Sequence, residues 1–425
     1  MLAGNRGPAG SAEAHGTLAG GPAHAAEPEA ADAELAAARA AWARLREVES
    51  VTVTVIVDNE TDGLSTPCRC CDPALDPETR TPYVSEFTAG VQAGHGLSLL
   101  VEVTAAPSTA AQPPEGGGGS SGGEERRVEE EAASVVFDGG PSEELWAANV
   151  RRLGLGLERV GGAVLSHWHV DHSVGLAAVA AAASASRAAP CGDAPGSCAA
   201  ALAPFVFDVH PDRPLRRGLL LSAGAKPVPF NEDVSLEALA PPGCRVESHA
   251  EPHTLLSDLF FVSGAIPRVT AFEAGQPGHA TQGRDGLWRL DPHIMEERYL
   301  AVRLRGQGAV VFSGCSHAGI VNVVTHAQQV SCGPVFAVVG GLHLASRPME
   351  ARIPETVAAL RQLAPRRILA GHCTGWRAKA ALAAAFPDTF QPCLVGGTYR
   401  FLAPQLPPPP EQPPPPGQSQ PPRDN

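Results

Sequence analysis

The sequence is poor in aromatic residues, has fewer basic than acidic residues, and lacks a long apolar run. Aromatic side chains make up 5 % of the 425 residues, and 32 Lys and Arg stand against 45 Asp and Glu, for a net charge of -13. Nucleic-acid-binding proteins usually carry a clustered basic face, and a membrane-spanning helix needs about 20 consecutive apolar residues. These absences argue against nucleic-acid and membrane partners and favour a small-molecule substrate. They leave the oligomeric state open.

A secretory signal is also missing, because no apolar segment follows Met1. The ten cysteines are therefore expected to be free thiols in a reducing compartment. We predict a cytoplasmic protein and leave import into an organelle open. Cys68, Cys70 and Cys71 lie close together and either bind a metal or are incidental, since no second cysteine pair completes a four-cysteine zinc spacing.

Glycine and proline are abundant, with 45 and 41 residues, and they concentrate in a few stretches. We predict that residues 1–49 form a disordered and helical extension, that 50–403 form one domain, and that 404–425 form a disordered, proline-rich tail. Two flexible insertions are expected inside the domain, near 104–133 and 178–203. The first is rich in Gly, Ser and Glu, and the second is rich in Ala.

Apolar, β-branched runs and helical patterns share the central region. Residues 29–49 have apolar side chains at helical spacing, and VTVTVIVDN, which begins at Val51, predicts the first strand of the core. Further strands fall into two groups, and helices follow the later ones. The pattern predicts an α/β fold with two sheets inside and helices outside, which is a four-layer αββα sandwich.

The residues that indicate chemistry concentrate in His167-Trp168-His169-Val170-Asp171-His172. An apolar strand precedes this segment, so alternation places His167 and His169 on one face just beyond its end. Asp171 and His172 follow where the chain turns into a helix. Imidazole nitrogens and a carboxylate oxygen are ligands that zinc, iron and manganese accept. The segment therefore predicts a metal site.

Together with Asp138 in VVFDGG, the His-x-His-x-Asp-His motif resembles the signature of the metallo-β-lactamase superfamily. Within it, the sequence is similar to the branch named for archaeal 7,8-dihydropterin-6-methyl-4-(β-D-ribofuranosyl)aminobenzene-5'-phosphate synthase. Further matching segments lie in the expected order and are VDNET (57–61), HGLSLLVE (95–102), SGAIPRVTAFE (263–273), SGCSHAGIVN (313–322), GGLHL (340–344) and AGHCTG (370–375).

The resemblance implies ligands for one or two metals. The first two histidines of the motif would hold one metal with His317, and Asp171 and the last histidine of the motif would hold a second metal with His372. Packing roles are the alternative for His317 and His372. Many members with two metals carry a bridging Asp in the loop that here reads Cys-Ser-His, so the number of metals stays open. Cys315 and Cys373 adjoin the predicted site and are interpreted as buried structural thiols.

Four further polar residues are predicted to support the site or to contact the substrate: Asp138, His343, Asn59 and Arg268. We expect Asp138 to orient a ligand histidine without binding metal itself. Asn59 and Arg268 lie at strand ends, where either would bind an anionic group of a substrate. His343 is expected to face either the substrate or the metal.

These parts predict a metal-dependent hydrolase that acts on a small ester, thioester or phosphoester. A divalent transition metal, with zinc preferred over iron or manganese, lowers the pKa of bound water from about 15.7 to near 7 and so provides a hydroxide nucleophile. Asp171 is the predicted catalytic residue, because its carboxylate would hold the hydroxide and assist proton transfer. A pterin-condensing transferase like the namesake of the branch and a non-catalytic metal-binding protein remain alternatives.

Overall fold

The computed structural model describes residues 28–62, 89–105, 131–188, 203–222 and 225–405. Within these ranges there are eighteen strands and eight α-helices. The strands are β1 (Glu47–Val57), β2 (Ser98–Ala105), β3 (Glu131–Phe137), β4 (Val160–Val164), β5 (Phe205–Val209), β6 (Arg216–Leu219), β7 (Val228–Pro229), β8 (Cys244–Ser248), β9 (His253–Leu255), β10 (Phe260–Val262), β11 (His279–Gln282), β12 (Trp288–Leu290), β13 (Tyr299–Leu304), β14 (Gly308–Ser313), β15 (Val335–Gly341), β16 (Arg367–Gly371), β17 (Phe390–Pro392) and β18 (Thr398–Leu402). The helices are α1 (Pro28–Arg44), α2 (Glu143–Leu153), α3 (Val170–Ser173), α4 (Leu176–Ala188), α5 (Ile320–Ser331), α6 (Arg347–Glu350), α7 (Ile353–Leu363) and α8 (Trp376–Ala385).

The large sheet runs in the order β17-β16-β15-β14-β13-β1-β2-β3-β4-β5-β8. Strands β1 and β13 pair through Glu47 with Arg303 and Val48 with Leu304, and this short pairing divides the sheet into two halves. Strand β18 pairs with β1 beyond that point. A small separate sheet has the order β12-β11-β6-β7.

The two halves of the large sheet share one apolar core. Val51, Val53 and Val55 of β1 are completely buried and belong to the same cluster as Leu300 and Val302 of β13. A second cluster joins β14, β15 and β16 to α1, α5, α7 and α8, and a third joins β1 to β5 with α2 and α4. Helices therefore cover the outer face of each half, and the predicted four-layer αββα sandwich is confirmed.

The first helix and strand differ from their predicted bounds. The helix predicted over 29–49 is α1, which ends at Arg44, and β1 begins before the predicted start at Val51. The Trp42 side chain is buried and packs edge-on against Phe261, with ring centroids 5.4 Å apart. The helix is thus part of the outer layer, because the sandwich core covers its apolar side chains.

The predicted insertions have different outcomes. Helix α4 extends to Ala188, and Ala180 and Ala183 on it are completely buried. The first part of the alanine-rich range 178–203 is therefore a core helix and not a flexible insertion. Alanine has a high helix propensity and a small side chain, so an alanine-rich composition alone does not distinguish a core helix from a flexible insertion. Residues 189–202, most of the first insertion, residues 406–425 of the tail and the Cys68, Cys70 and Cys71 cluster lie outside the described residues. The division into three regions stays a prediction.

Deletion of residues 110–128 should leave the melting temperature and the metal content nearly unchanged. The segment connects β2 and β3, which pair antiparallel from Leu99 with Phe137 to Ala105 with Glu131. The deletion lies beyond the Ala105–Glu131 end, whereas the metal-site motif follows the opposite end of the neighbouring strand. Thermal melts and elemental analysis of the deletion protein beside the full chain measure both quantities. A loss of several degrees would show that the segment packs on the domain.

The parallel strands bring the predicted site together. Strands β3, β4 and β5 are mutually parallel neighbours, as are β14, β15 and β16. Their carboxyl ends carry the segments that contain the candidate ligands. In the described part of the chain, no helix has the length and apolar character needed to span a bilayer.

Candidate metal centre

The motif lies in the turn between β4 and the short helix α3. His169 is the N-cap of α3, and His167, His169 and His172 are all buried. The loop after β14 brings His317 to the same place, and the turn after β16 brings His372. The structure therefore assembles all of the predicted ligands, whereas their binding of a metal stays a prediction.

Three ring nitrogens form a close triangle. His167 Nε2 lies 3.0 Å from His169 Nδ1 and 3.2 Å from His317 Nε2. The distance from His169 Nδ1 to His317 Nε2 is 3.1 Å. We call His167, His169 and His317 the first set.

Hydrogen bonds outside the first set determine which ring nitrogens carry protons. Ser166 Oγ donates to Asp138 Oδ2 at 2.8 Å, so its oxygen accepts from His167 Nδ1, also at 2.8 Å. His279 Nδ1 donates to a backbone carbonyl oxygen at 2.8 Å, so its Nε2 accepts from His169 Nε2 at 2.9 Å. His167 Nε2 and His169 Nδ1 are consequently unprotonated, and their lone pairs face each other. A cation between them would remove this repulsion.

The other two candidate ligand histidines, His172 and His372, also donate a hydrogen bond from one ring nitrogen. Asp138 Oδ2 accepts from His172 Nδ1 at 2.7 Å. Asn59 Oδ1 accepts from the Gly96 backbone N–H at 3.1 Å and from His372 Nδ1 at 3.0 Å. When these rings are neutral, their Nε2 atoms therefore carry the lone pairs. Histidines that bind metals characteristically donate their other N–H to such a partner.

Cys315 lies between these two histidines. Its Sγ is 3.2 Å from the Nε2 atoms of both His172 and His372. Asp171 Oδ2 is 3.4 Å from His372 Nε2 and 3.8 Å from His172 Nε2. These four residues, which we call the second set, form one group with ligand atoms close enough to hold a metal, and Cys315 also forms a group with His167 and His317. Cys315 is buried, as predicted, and its sulfur points into the centre, so the geometry adds a candidate ligand role to the structural one.

Burial and nearby charges act differently on the two sets. Burial lowers the pKa of each ring in the first set well below its usual value, so these rings are neutral. In the second set, burial acts in the same direction, but the Asp171 carboxylate raises the pKa of His172, and Cys373 together with Asp171 raises that of His372. Burial would raise the pKa of Asp171, yet the two histidines hold it well below its usual range. A metal that binds the second set must therefore displace protons, which makes its affinity pH-dependent.

The backbone around the centre is strained at four residues outside glycine. The left-handed positions are Asp138 (φ 59°), Ser316 (φ 61°), His343 (φ 45°) and His372 (φ 48°). Each such conformation costs on the order of 1–3 kcal/mol and persists where the surrounding packing imposes it. Gly314 has a different constraint, because a Cβ atom there would collide with Ser166 Oγ. The end of β14 can thus approach the residues that orient the first set.

The structure places Arg268 and His343 beside His317. The Arg268 guanidinium donates to the backbone carbonyl oxygens of His317, at 3.0 Å, and of His293. The predicted contact of Arg268 with an anionic substrate is therefore replaced by a role in holding the loop that carries His317. The His343 ring lies 4.3 Å from the His317 ring, and its buried Nδ1 has no hydrogen-bond partner among the described residues.

Two residues of the centre were not predicted from the sequence. His279, the first residue of β11, is completely buried against His169. His95 Nε2 lies 3.5 Å from Asp171 Oδ2, and the His95 ring is 5.0 Å from the His372 ring. His95 is the first residue of HGLSLLVE, one of the segments that carry the family resemblance, so the sequence did offer a reason to consider it. No comparable pattern marks His279 in GQPGHATQG.

Part of the chain is similar in sequence to known proteins of one superfamily. A family model described as the metallo-beta-lactamase superfamily matches residues 127–227. The 7,8-dihydropterin-6-methyl-4-(β-D-ribofuranosyl)-aminobenzene-5'-phosphate synthase of Methanocaldococcus jannaschii is 34 % identical over 123 residues, which are 27 % of this chain and 41 % of that protein. An uncharacterised protein of the same organism is 26 % identical over 132 residues, which are 31 % of this chain and 46 % of that protein. Each match thus spans less than half of the relative.

A solved structure shows the same fold over most of the chain. It is the crystal structure of a metal-dependent hydrolase of the β-lactamase superfamily, with a TM-score of 0.52 and 19 % sequence identity. The superposition covers 82 % of this chain and 98 % of that one. At this identity the likeness establishes the fold and leaves the reaction to be argued from the site.

Proposed function

Because the chain belongs to the metallo-β-lactamase superfamily, we propose that it is a metal-dependent hydrolase of a small ester, thioester or phosphoester. One observation carries the proposal. Ring nitrogens of four histidines, each of which donates a hydrogen bond from the other side of its ring, converge with a carboxylate and a thiol. Imidazole nitrogens, a carboxylate and a thiol gathered in one place are the donors that a transition-metal ion takes.

The donor chemistry fits one or two divalent transition metals, and zinc is preferred. Nitrogen and sulfur ligands with one carboxylate match zinc better than magnesium or calcium, which take oxygen ligands. The first set would hold one ion and the second set the other. When bound, such an ion activates water and stabilises negative charge on a substrate oxygen.

Asp171 is suited to accept a proton from the attacking water. Its side chain is 17 % exposed, whereas those of His172 and His372 are 0 % exposed, so the carboxylate is the part of the second set that solvent and substrate reach. The histidine neighbours of Asp171 hold its pKa low against burial, so the group is ionised at neutral pH and can orient the attacking water by accepting a hydrogen bond from it. The outer residues Asp138 and Asn59 do not take part in proton transfer and instead fix the orientation of the rings.

Protein purified without chelator should contain one to two equivalents of transition metal. The motivation is the convergence of two ligand sets on one edge of the sandwich. Elemental analysis before and after dialysis against chelator, followed by reconstitution with zinc, measures the content. Fewer than about 0.2 equivalents in the purified protein, with no uptake on reconstitution, would contradict the metal centre.

The reaction class is tested with simple probes on the zinc-loaded protein. We expect turnover of at least one among p-nitrophenyl acetate, an aryl thioester and bis(p-nitrophenyl) phosphate. The activity should disappear on chelation and return with zinc, because the ion supplies the activated water. Fully loaded protein that cleaves no member of any of the three classes would refute the hydrolase proposal.

A pterin-condensing transferase is the second candidate. It is favoured by the 34 % identity to the synthase from Methanocaldococcus jannaschii, although the match covers 41 % of that protein. Incubation of the loaded protein with a dihydropterin donor and an aminobenzene ribofuranosyl phosphate, followed by mass spectrometry of the products, separates the two. A coupled product supports the transferase, and hydrolysed probes without coupling support the hydrolase.

A further inference from the structure

His95 stands at the open side of the second set and has no role in the hydrolysis described so far. Its side chain is 69 % exposed, and its Nε2 is the ring atom that points toward Asp171 Oδ2. The segment that follows is anchored to the same residue, since the Leu97 backbone N–H donates to the Asp171 carbonyl oxygen at 3.2 Å. A Cβ atom at Gly96 would collide with that carbonyl oxygen, so a glycine after His95 permits the close approach.

The Asn59 side chain determines the tautomer of His95. Asn59 Oδ1 accepts from the Gly96 backbone N–H at 3.1 Å, and this contact fixes which end of the amide is oxygen. The amide nitrogen Nδ2 therefore faces His95 Nδ1, at 2.9 Å. Since an amide nitrogen only donates, His95 Nδ1 accepts, and the neutral ring carries its proton on Nε2.

One amide thus holds two histidines in opposite tautomers. Its oxygen accepts a hydrogen bond from His372 Nδ1, so the Nε2 lone pair of the neutral His372 ring is directed toward the second set. Its nitrogen donates to His95 and leaves that ring with an N–H directed toward the open side of the centre. The 3.5 Å distance from His95 Nε2 to Asp171 Oδ2 is longer than a normal hydrogen bond. The donor is therefore free to serve another acceptor.

We propose that His95 contacts the substrate of the proposed hydrolysis, with its neutral Nε2–H donating a hydrogen bond to a substrate oxygen that gains negative charge during cleavage. The inference rests on the proposed function and adds the residue that recognises this oxygen. A donor fixed before the reaction, and directed at developing charge, stabilises the transition state without its own reorganisation. The proton stays on the ring throughout, so no additional base is required.

Two conservative variants separate the donor from the shape of the ring. His95→Gln places an amide N–H near the position of Nε2, whereas His95→Asn retains a polar group only near Nδ1. We expect His95→Asn to lower kcat/KM for the cleaved probe by about 10- to 100-fold, less than for a fully buried donor because the site is open to solvent. His95→Gln should recover most of the loss. Metal content and melting temperature should match those of the wild type in both variants.

Two further measurements do not depend on turnover. Inorganic phosphate, used as an anionic probe, should bind the zinc-loaded Asn variant about tenfold more weakly than the wild type in calorimetry, and the Gln variant should bind like the wild type. Nitrogen NMR of histidine-labelled protein, with the His95 signals assigned from the variants, should show the Nε2–H tautomer. An Nδ1–H tautomer would overturn the inference.

The outcomes distinguish this inference from the proposed function. Wild-type turnover and phosphate binding in His95→Asn would overturn the role of His95 while hydrolysis stands. If the loaded wild type cleaves no probe, the hydrolase proposal fails, and the phosphate titration then decides alone whether His95 is a donor. If the wild type and both variants then bind phosphate equally, the role of His95 as a donor is overturned.

Discussion

Asp171→Asn should preserve the fold and lower turnover by a factor of about 10²–10⁴, the usual contribution of general acid–base assistance. The two side chains have the same shape, and the backbone carbonyl oxygen that anchors Leu97 is unaffected. The amide, however, is neutral, cannot accept a proton from water, and is a poorer ligand for a divalent ion. The ion of the second set should therefore lose occupancy while the first set, whose ligands are unchanged, retains its metal.

Asp388→Asn is a matched control for this variant. Asp388 is exposed in the turn before β17, and it is not part of the centre. Activity on the cleaved probe, elemental analysis and a thermal melt should be compared for both variants and the wild type. If Asp171→Asn retains more than about a tenth of the activity together with its full metal content, Asp171 has a structural role and the assigned mechanism is wrong.

Cys315→Ser should weaken metal binding at the second set by at least about 10²-fold, since even the loss of an outer partner of a ligand costs up to that amount. The Sγ atom lies 3.2 Å from two lone-pair nitrogens, His172 Nε2 and His372 Nε2. A serine hydroxyl stays protonated at neutral pH and offers no anionic sulfur to a borderline-soft ion. Cys315→Asp should recover part of the affinity, because it restores an anionic ligand in this loop.

Cobalt-substituted protein reports the sulfur ligand directly. The wild type should show a thiolate-to-cobalt charge-transfer band that Cys315→Ser abolishes. Cys332→Ser is the matched control, since Cys332 is an exposed thiol at the end of α5. Cys373→Ser should retain the band as well. If Cys373→Ser loses the band and Cys315→Ser keeps it, the ligand is Cys373 and our placement of the sulfur fails.

The sequence was informative where ligands follow strands. His317 and His372 are about 150 and 200 residues beyond His167, yet both could be proposed because the segments that contain them resemble those of the superfamily. The fold then brings these segments together, since the carboxyl ends of parallel strands meet at one edge of a sheet. The αββα layers followed from the succession of strands and helices. In both cases a local pattern determines where a residue lies in the fold, and no knowledge of side-chain direction is required.

Side-chain direction is what the sequence did not reveal. Cys315 was recognised as a neighbour of the site, but its sulfur reaches the centre through a loop in which Ser316 is left-handed, and no local preference predicts this conformation. Arg268 was expected to face a substrate, whereas its guanidinium donates hydrogen bonds to the backbone carbonyl oxygens of His317 and His293. His279 reaches His169 from the small sheet, and the sequence does not reveal how that sheet packs on the domain.

A single carboxylate oxygen connects the two ligand sets. Asp138 Oδ2 accepts from Ser166 Oγ, which in turn orients His167, and it also accepts from His172 Nδ1. This carboxylate is completely buried and holds all of these donors without an ion, so its loss would release His167 and His172 together. A single substitution outside both ligand sets would thus weaken both metal positions at once, each by about 10- to 100-fold.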